Sequence, residues 1–305
     1  MRIASLVPSA TEICFALGLG PSVVGVSHAC DFPPQAAFKA ILTRSGVDGS
    51  AFDPAADRHL QPGRHDGSSP IDLDRVALRR ARPDLILTQE LCHVCAAAYT
   101  EVLEAARVLP GHPRVVSLDP ATLPAVLRSI LHVGQLTGTR DRASELVSSL
   151  AARVDAVRGA IAGRPRPRVA CLEWFDPLMV AGHWVPDQVE IAGGQDVLGI
   201  SGAPSRPVTP AELAAAAPDV VVCMPCGLRA PAAQRAAAPL TRLPGWAGLP
   251  AVRAGRVVAV DGSWYFNRPG PRVLDGTELL ARLLHPEAWR GPAPVGSLRI
   301  EGAGA

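Results

Sequence analysis

Two pairs of cysteines each follow a short apolar run, and thiols so placed can bind soft metals or take part in redox reactions. The first pair is Cys92 and Cys95, and the second is Cys223 and Cys226. The dipeptide Pro–Asp introduces both runs, one in each half of the chain. If the two halves face each other, the four thiols would line the space between them. Such a space suits a metal ion, a metal chelate or a redox reaction.

Histidines and a further cysteine extend this set of soft ligands. His28, Cys30 and His183 follow other apolar runs, and His93 lies between the two cysteines of the first pair. Thiolate and imidazole together suit zinc or iron. The sequence therefore predicts a metal site formed by Cys92, Cys95, Cys226 and His28. The alternative is that the cysteines are buried and inert, because cysteine is among the most buried residue types and the two pairs are too far apart in the chain for a zinc ribbon.

Aromatic residues concentrate in the second half, directly after predicted strands. Three of the five tryptophans lie there, Trp174, Trp184 and Trp264, and Tyr265 follows the last of them. In a chain with only 4% aromatic residues, this clustering predicts a surface on which a planar ligand stacks. The alternative is that the same rings pack inside the second half.

Ligands of open parallel sheets bind beyond the carboxyl ends of the strands, so the segments that follow strands are candidate ligand contacts. The predicted ligand-binding residues are Pro8, Ser9, His28, Cys30, Glu90, Cys92, Glu173, Trp174, His183, Trp184, Cys226, Trp264, Tyr265, Asn267 and Arg268. The sequence has no Gly-rich phosphate loop, no Gly-x-Ser-x-Gly elbow and no His-Glu-x-x-His. We therefore assign no catalytic residue and expect a binding protein rather than an enzyme, with thiol redox activity as the alternative.

The composition limits the classes of partner. The chain has 305 residues, 48% of them hydrophobic and 19% charged, which is enough for two domains of ordinary size. Its 30 Lys and Arg residues nearly balance its 28 Asp and Glu residues, so nothing favours nucleic acid or an anionic membrane. Seven cysteines is an odd number and argues against a disulfide scaffold. We expect a monomer that binds a small molecule.

The opening residues do not form the pattern of a signal peptide, because Pro8, Ser9 and Glu12 interrupt the apolar run. No apolar run reaches the roughly 18 residues of a membrane span. The expected location is the cytoplasm, or the periplasmic or extracellular side of the membrane if a leader has been removed.

Short apolar runs alternate with helical patterns in both halves, which predicts an α/β fold. We expect two Rossmann-like lobes with parallel sheets, joined by a single long helix. The predicted boundaries are residues 1–121 for the first lobe, 122–163 for the connecting helical segment, 164–290 for the second lobe and 291–305 for a tail. The stretches Ala81–Leu87 and Ala216–Val222 share one pattern, a helix end, then Pro–Asp, then a buried strand, which indicates a weak internal duplication.

The elements themselves follow from period and turn residues. The predicted strands are Ile3–Val7, Val23–Val26, Leu85–Thr88, Arg114–Leu118, Val169–Leu172, Val220–Cys223 and Val257–Val260. The predicted helices are Ala10–Leu19, Asp72–Arg82, Ala97–Val108, Asp187–Ala192, Ala211–Ala217 and Val273–Leu284. Ser9 or Thr11 is the expected cap of the first helix.

Four segments are distinctive when they are taken together. They are Arg2–Glu12 (RIASLVPSATE), Val24–Pro34 (VGVSHACDFPP), Arg82–Leu87 (RPDLIL) and Gly193–Leu198 (GGQDVL). They resemble the cobalamin and iron-siderophore substrate-binding proteins of ABC transporters, and the resemblance covers about residues 2–286. It implies a fold like that of the class III periplasmic binding proteins, with two lobes, one rigid helix and a ligand held between the lobes.

The resemblance also implies a function, which is to bind cobalamin or a related metal chelate and deliver it to an ABC-transporter permease. It implies that Asp74 and Glu212 dock the protein on that permease. The sequence departs from the family pattern at Thr43–Ser45 and Gln89–Glu90, which stand near the places of cobalamin-stacking tryptophans, and in its cysteines. These departures indicate a leaderless branch with a thiol-lined cleft. A similarity of the fold to chelatases leaves open a cytoplasmic metal-binding, thiol-redox or chelatase-like protein.

Overall fold

The computed structural model describes residues 1–45, 71–90, 97–291 and 297–300. The chain divides into two compact units, the first made of residues 1–120 and 127–147 and the second of residues 121–126 and 148–305. The helices Leu123–Thr137 and Arg140–Ile161 therefore each contribute residues to both units.

A parallel sheet forms the centre of the first unit. The strands of this unit are β1 (Ile3–Ser5), β2 (Val23–Val26), β3 (Ala40–Ile41), β4 (Thr43–Ser45), β5 (Ile71–Leu73), β6 (Leu85–Thr88) and β7 (Arg114–Ser117). The sheet has the order β3-β2-β1-β6-β7, and all neighbouring strands in it run parallel. The short strands β4 and β5 form a separate antiparallel pair. Every residue of β6 is buried, as expected for a strand that is covered on both faces.

Helices pack on this sheet through small apolar faces. The helices of the first unit are Pro8–Ala16, Arg75–Ala81 and Tyr99–Arg107, with 3-10 turns at Gly20–Ser22 and Pro34–Phe38. Leu78 and Val102, from two of these helices, belong to one fully buried cluster with Leu6, Leu42 and Ile86. The segments that follow the parallel strands therefore begin at the carboxyl edge of this sheet.

The first helix begins differently from its prediction. Val7 is its N-cap residue and makes no side-chain cap, while Pro8 occupies the first helical turn, where its missing N–H needs no partner. The hydroxyl of Thr11 instead donates to Ser5 Oγ at 2.7 Å. The predicted cap at Ser9 or Thr11 is therefore wrong, because proline starts the helix earlier than the capping side chains would.

The second unit contains a mixed sheet with a parallel centre. Its strands are β8 (Arg168–Phe175), β9 (Leu178–Val180), β10 (Gln195–Asp196), β11 (Arg206–Pro207), β12 (Val220–Cys223), β13 (Val257–Val260) and β14 (Ser297–Arg299). Strands β10, β8, β12 and β13 pair in parallel, which confirms the predicted parallel arrangement. Strands β9, β11 and β14 add antiparallel pairings at the two margins, and these pairings were not predicted.

Helices surround this second sheet. Apart from the two long helices already given, they are Val185–Ile191, Pro210–Ala216, Ala230–Ala236, Pro250–Arg253, Gly262–Tyr265 and Val273–Leu284, with 3-10 turns at Ala238–Arg242 and Trp246–Gly248. Arg153 on the helix Arg140–Ile161 forms ion pairs with Asp275 and Glu278 on the helix Val273–Leu284.

Across the described ranges, no helix combines the length and the apolar composition needed to cross a bilayer.

A hydrogen-bonded corner joins β1 to the turn that precedes β6 in the first unit. The main-chain N–H of Arg2 donates to Asp84 Oδ2 at 2.7 Å, and Arg2 Nη2 donates to the carbonyl of Ala81 at 2.8 Å. Arg82, which ends the helix at this corner, has a positive φ of 42°. The corner ties the start of the first strand to the end of a helix more than seventy residues later.

The same corner occurs in the second unit with equivalent residue types. The N–H of Arg168 donates to Asp219 Oδ2 at 2.8 Å, and Arg168 Nη2 donates to the carbonyl of Ala216 at 2.7 Å. Ala217 ends the helix there with a φ of 41°. An arginine that opens a strand, an aspartate before the neighbouring strand and a left-handed helix end thus recur together. This recurrence supports the predicted internal duplication.

Candidate functional site

The turn after β13 lies at the carboxyl edge of the second sheet and carries several of the predicted ligand contacts. Asp261 follows the strand and caps the short helix Gly262–Tyr265, where its Oδ1 accepts the N–H of Trp264 at 2.9 Å. Gly262 allows a close approach of main chains, because a Cβ at this position would lie 2.5 Å from the carbonyl oxygen of Pro225. The turns that follow β12 and β13 are therefore held against each other.

Arg229, Asp261, Trp264 and Arg272 form a group that we call the Trp264 cluster. The guanidinium carbon of Arg229 lies 3.3 Å from the centroid of the Trp264 ring, and that of Arg272 lies 4.9 Å from it. Arg229 Nε also donates to Asp261 Oδ2. Guanidinium groups over an indole face are cation–π contacts. The cluster thus places a partly exposed aromatic ring and positive charge together at the carboxyl edge.

Burial raises the pKa of the Asp261 carboxyl, and the Trp264 amide and the Arg229 guanidinium oppose this rise. The side chain of Arg229 is 49% exposed, whereas that of Asp261 is 2% exposed. Arg229 is therefore a half-exposed side chain that is paired with a buried carboxylate. A guanidinium has further N–H donors besides the one that Asp261 accepts, and half of the Arg229 side chain is exposed.

Trp184 and Tyr265 are brought to the same turn but are buried in it. Trp184 Nε1 donates to the carbonyl of Phe266 at 2.9 Å. The fully buried Gln188 donates through Nε2 to the carbonyls of Tyr265 at 3.2 Å and Val273 at 2.7 Å. These side chains fix the main chain around Trp264. Trp184 and Tyr265 therefore pack inside the second unit, which is the alternative to stacking on a ligand.

Asn267 and Arg268 complete this turn. Among the described residues, no group donates to the buried Oδ1 of Asn267. Arg268 donates through Nη2 to Ser263 Oγ at 3.3 Å. Both residues are partly exposed, so the turn adds a second arginine beside the Trp264 cluster, while Oδ1 of Asn267 itself is buried.

The end of β8 carries Glu173 and Trp174. The N–H of Cys226 donates to the carbonyl of Glu173 at 3.2 Å, which places the partly exposed Cys226 beside this strand. Trp174 is buried, and its Nε1 donates to the carbonyl of Asp176 at 3.0 Å. The prediction that Trp174 stacks on a ligand gains no support from this placement.

Burial raises the pKa of the Glu173 carboxyl to about 7, and a hydrogen bond from Ser205 opposes the rise. Ser205 Oγ also accepts the N–H of Gly182 at 3.1 Å. His183 follows with a positive φ of 52°, and its ring centroid lies 5.7 Å from that of Trp184. Glu173 and His183 are thus linked through one serine hydroxyl and the adjoining main chain.

We expect the contribution of Glu173 to the free energy of unfolding to fall as the pH rises from about 5 to about 8. A carboxyl whose pKa rises on folding from 4.5 to about 7 contributes stability that is fully present below pH 4.5 and is lost as the pH passes its folded value. Urea unfolding at several pH values measures this. Glu173→Gln should remove about 2–3 kcal/mol of the pH dependence over this range, whereas Glu190→Gln, at an exposed position, should leave it unchanged. An identical pH dependence in both variants would contradict the assignment.

The carboxyl edge of the first sheet carries hydroxyl groups and one thiol. Thr11 Oγ1 donates to Ser5 Oγ and lies 3.1 Å from the sulfur of Cys30, which is buried. His28 is exposed, and its Nδ1 lies 2.8 Å from Thr43 Oγ1. Cys30 and His28 therefore interact with hydroxyl groups of their own unit.

The other predicted contacts of the first unit differ in exposure. Pro8 is partly exposed at the start of its helix, and Ser9 is buried in the same turn. Glu90 is exposed, and its N–H donates to Asp119 Oδ1 at 2.7 Å. The first unit brings these residues to one edge of its sheet without showing what they bind, so their role stays a prediction.

The cysteines do not behave as one set. Cys92 and Cys95, with His93, lie outside the described residues. Cys223 is fully buried within β12, and burial raises the pKa of its thiol. Cys223 is the last residue of the predicted strand Val220–Cys223, which pairs with β8 and β13, and its thiol is not accessible to solvent. In the described part of the chain, no three His, Cys, Asp or Glu side chains are grouped closely enough to hold a metal ion.

The two residues predicted to dock on a permease lie at the starts of the two helices that lead into the duplicated corners, Asp74 as the N-cap and Glu212 three residues after the N-cap Thr209. Asp74 caps the helix Arg75–Ala81, where its Oδ1 accepts the N–H of Ala77 at 2.8 Å. Glu212 lies in the first turn of the helix Pro210–Ala216 and accepts the N–H of Thr209 at 2.8 Å. Each helix leads into one of the Pro–Asp turns. Docking itself stays a prediction.

Sequence reasoning missed Arg229, Arg272 and Asp261. Asp261 carried a signal, since an aspartate directly after a strand and before Gly–Ser is a typical helix cap. The arginines carried none, because they are 35 and 8 residues from Trp264 in the chain and meet it only in the fold. Nothing in local periodicity distinguishes them from the other arginines of a sequence with many.

Comparison with known proteins shows what this chain is similar to. The sequence model of the family described as periplasmic binding protein matches residues 3–263. The vitamin B12-binding protein of Vibrio cholerae is 24% identical over 286 residues, which cover 93% of this chain and 88% of that protein. The periplasmic heme-binding protein RhuT from Roseiflexus sp. RS-1 is 27% identical, with a TM-score of 0.69 over 94% of this chain and 99% of its own. The periplasmic heme-binding protein BhuT in complex with two hemes is 26% identical, with a TM-score of 0.67 over 93% and 97%.

Proposed function

Because the chain belongs to the periplasmic binding protein family, we propose that it binds a metal tetrapyrrole and serves as the substrate-binding protein of an ABC transporter. The ligand class is cobalamin or haem, since both are metal chelates with a broad, flat ring and anionic groups. The relatives described above are named for binding vitamin B12 or heme. The relatives therefore support the ligand class, a metal chelate with a flat ring and anionic groups, and not one of the two molecules over the other.

The Trp264 cluster is the observation that carries the proposal. A partly exposed indole lies under the guanidinium of Arg229, with Arg272 and Arg268 nearby. Aromatic rings contact flat apolar ligands, and arginine forks bind carboxylate or phosphate in bidentate fashion. Haem carries propionates, and cobalamin carries a phosphodiester. The cluster lies at the carboxyl edge of a parallel sheet, which is where ligands of such sheets bind.

The Arg229→Gln variant tests this assignment. We expect the variant to bind haemin or cyanocobalamin roughly tenfold more weakly, because it loses a charge-assisted contact with the anionic group. Arg235→Gln is the matched control, since Arg235 is an exposed arginine of the adjoining helix Ala230–Ala236. Titration followed by visible absorption measures both affinities.

The two arms of this titration separate the ligands. Submicromolar binding of one chelate and not the other identifies the ligand, and equal affinity of Arg229→Gln and Arg235→Gln would place the site elsewhere. Delivery to a permease is tested in the host, where deletion of the gene should lower uptake of the chelate that binds. The cytoplasmic location expected from the opening residues stays a prediction.

A further inference from the structure

The second unit has a cavity of about 550 Å³ at the edge of its sheet opposite to the Trp264 cluster. We call it the amino-edge pocket. Its lining residues Pro167, Asp219 and Arg256 each immediately precede one of the parallel strands β8, β12 and β13. Its volume lies within the range of small-molecule sites. Nothing in the proposed binding of a chelate uses this space.

Cationic side chains dominate the polar lining of the amino-edge pocket. They are Arg164, Arg166 and Arg256, and the imidazole of His285 also lines the pocket. Arg166 Nη2 donates to the carbonyl of Gly194 at 2.8 Å, and Arg256 Nη2 donates to the carbonyl of Leu283 at 3.4 Å. His285 Nε2 lies 3.3 Å from the carbonyl of Gly193. Contacts with neutral carbonyls hold Arg166 and Arg256 in place without balancing their charge.

Two carboxylates also line the pocket, but neither neutralises the arginines. Asp219 Oδ2 accepts the N–H of Arg168, as described for the duplicated corner. Within the described residues, no ion pair joins Arg164, Arg166 or Arg256 to Asp219 or to Glu287. A guanidinium has five donors in a fork that matches an oxyanion. Several such forks therefore line one concave space with donors to spare.

We propose that the amino-edge pocket is a second binding site, for a small molecule that carries at least two oxyanion charges. The proline-rich walls at Pro165, Pro167 and Pro286 give it a rigid apolar rim, and the arginines supply the bidentate contacts that phosphate or carboxylate groups require. The site goes beyond the binding of a chelate and stands on different residues, so each can fail without the other.

Isothermal titration of the full chain with pyrophosphate tests the proposal, with citrate as a second arm that separates phosphate from carboxylate recognition. We expect one pyrophosphate or one citrate to bind per chain in 0.15 M salt, where long-range attraction is largely screened. The double variant Arg164→Gln, Arg256→Gln should bind that probe at least roughly tenfold more weakly. The matched control is Arg253→Gln, Arg290→Gln, which removes the same charge from two exposed positions outside the lining.

Three results would overturn the proposal. They are no heat from either probe at millimolar concentration, equal weakening in both double variants, and amide shifts that are confined to residues remote from the pocket. The last is measured on the unmodified protein, so it holds even if a variant fails to fold. Pyrophosphate or citrate should shift the amide resonances of Gly193, Gly194 and the residues that line the pocket. Haemin or cyanocobalamin affinity should be the same in both double variants, which keeps this test separate from that of the Trp264 cluster.

Discussion

The Gly262→Ala variant is expected to have a free energy of unfolding about 3 kcal/mol lower than that of the unmodified protein. We also expect it to bind its chelate at least roughly tenfold more weakly. A Cβ at Gly262 would lie 2.5 Å from the carbonyl oxygen of Pro225 and 2.6 Å from that of Met224. Both obstacles are main-chain atoms, which cannot rotate away as a long side chain can. The turn that carries Trp264 must therefore move, and the Trp264 cluster moves with it.

Gly248→Ala is the control for this prediction. Gly248 ends a 3-10 turn of the same unit, and a Cβ there meets no atom within 4 Å. Urea unfolding and chelate titration of the two variants give the comparison. Equal stability of Gly262→Ala and Gly248→Ala would show that the turns after β12 and β13 are not held together in the way described.

The Arg153→Met variant is expected to lose about 2 kcal/mol of stability. Arg153 donates to Glu278 at 2.7 and 2.8 Å and to Asp275 at 2.6 Å, and the hydrogen bonds to Glu278 are the main reason why the pKa of Arg153 is raised. The side chain of Glu278 is only 7% exposed. Removing the arginine leaves a buried carboxylate without its partner, which costs more than the loss of an exposed pair.

Arg158→Met provides the matched control, because Arg158 is exposed on the same helix. The midpoint of urea unfolding should fall for Arg153→Met and stay within error for Arg158→Met. The double variant Arg153→Met, Glu278→Leu should recover part of the loss, since it removes the uncompensated charge. Absence of that recovery would mean that packing of the arginine stem, and not its charge, stabilises the contact.

Elements with a strong local pattern could be predicted from the sequence with their bounds. Leu85–Thr88, Val220–Cys223 and Val257–Val260 are strands as predicted, since strands buried on both faces are continuous apolar runs. The helix Val273–Leu284 also has its predicted bounds, because its apolar residues recur at helical spacing. In each case one short stretch of chain contains the whole signal.

Elements that depend on distant partners could not be predicted in this way. The predicted helix Asp72–Arg82 begins later, at Arg75, because Ile71–Leu73 pairs with β4 as a strand and Asp74 caps the helix. Strands β9, β11 and β14 are two or three residues long and have too little pattern to be recognised. These strands form because they pair with strands at the margins of the second sheet.

The site was predictable in its position and only partly in its members. Trp264 lies at the carboxyl edge of a sheet, as expected for a segment that follows a strand. Arg229 and Arg272 could not be foreseen, because their approach to Trp264 is a tertiary contact. Cys223 lies in its predicted strand, but its complete burial could not be predicted from its place at the end of an apolar run.

The prediction of family was confirmed by the match over residues 3–263. Membership in a family of binding proteins also confirms the prediction that this chain is not an enzyme. The resemblance includes short segments such as Arg2–Glu12, which spans β1 and the start of the first helix.

Native mass spectrometry of the purified chain mixed with haemin or with cyanocobalamin tests whether the chain binds a metal tetrapyrrole. We expect a complex of one chain with one chelate, retained at low micromolar concentration, and a weaker complex for Arg229→Gln than for Arg235→Gln. If neither chelate remains bound to the unmodified protein under these conditions, the proposal that it binds a metal tetrapyrrole is contradicted.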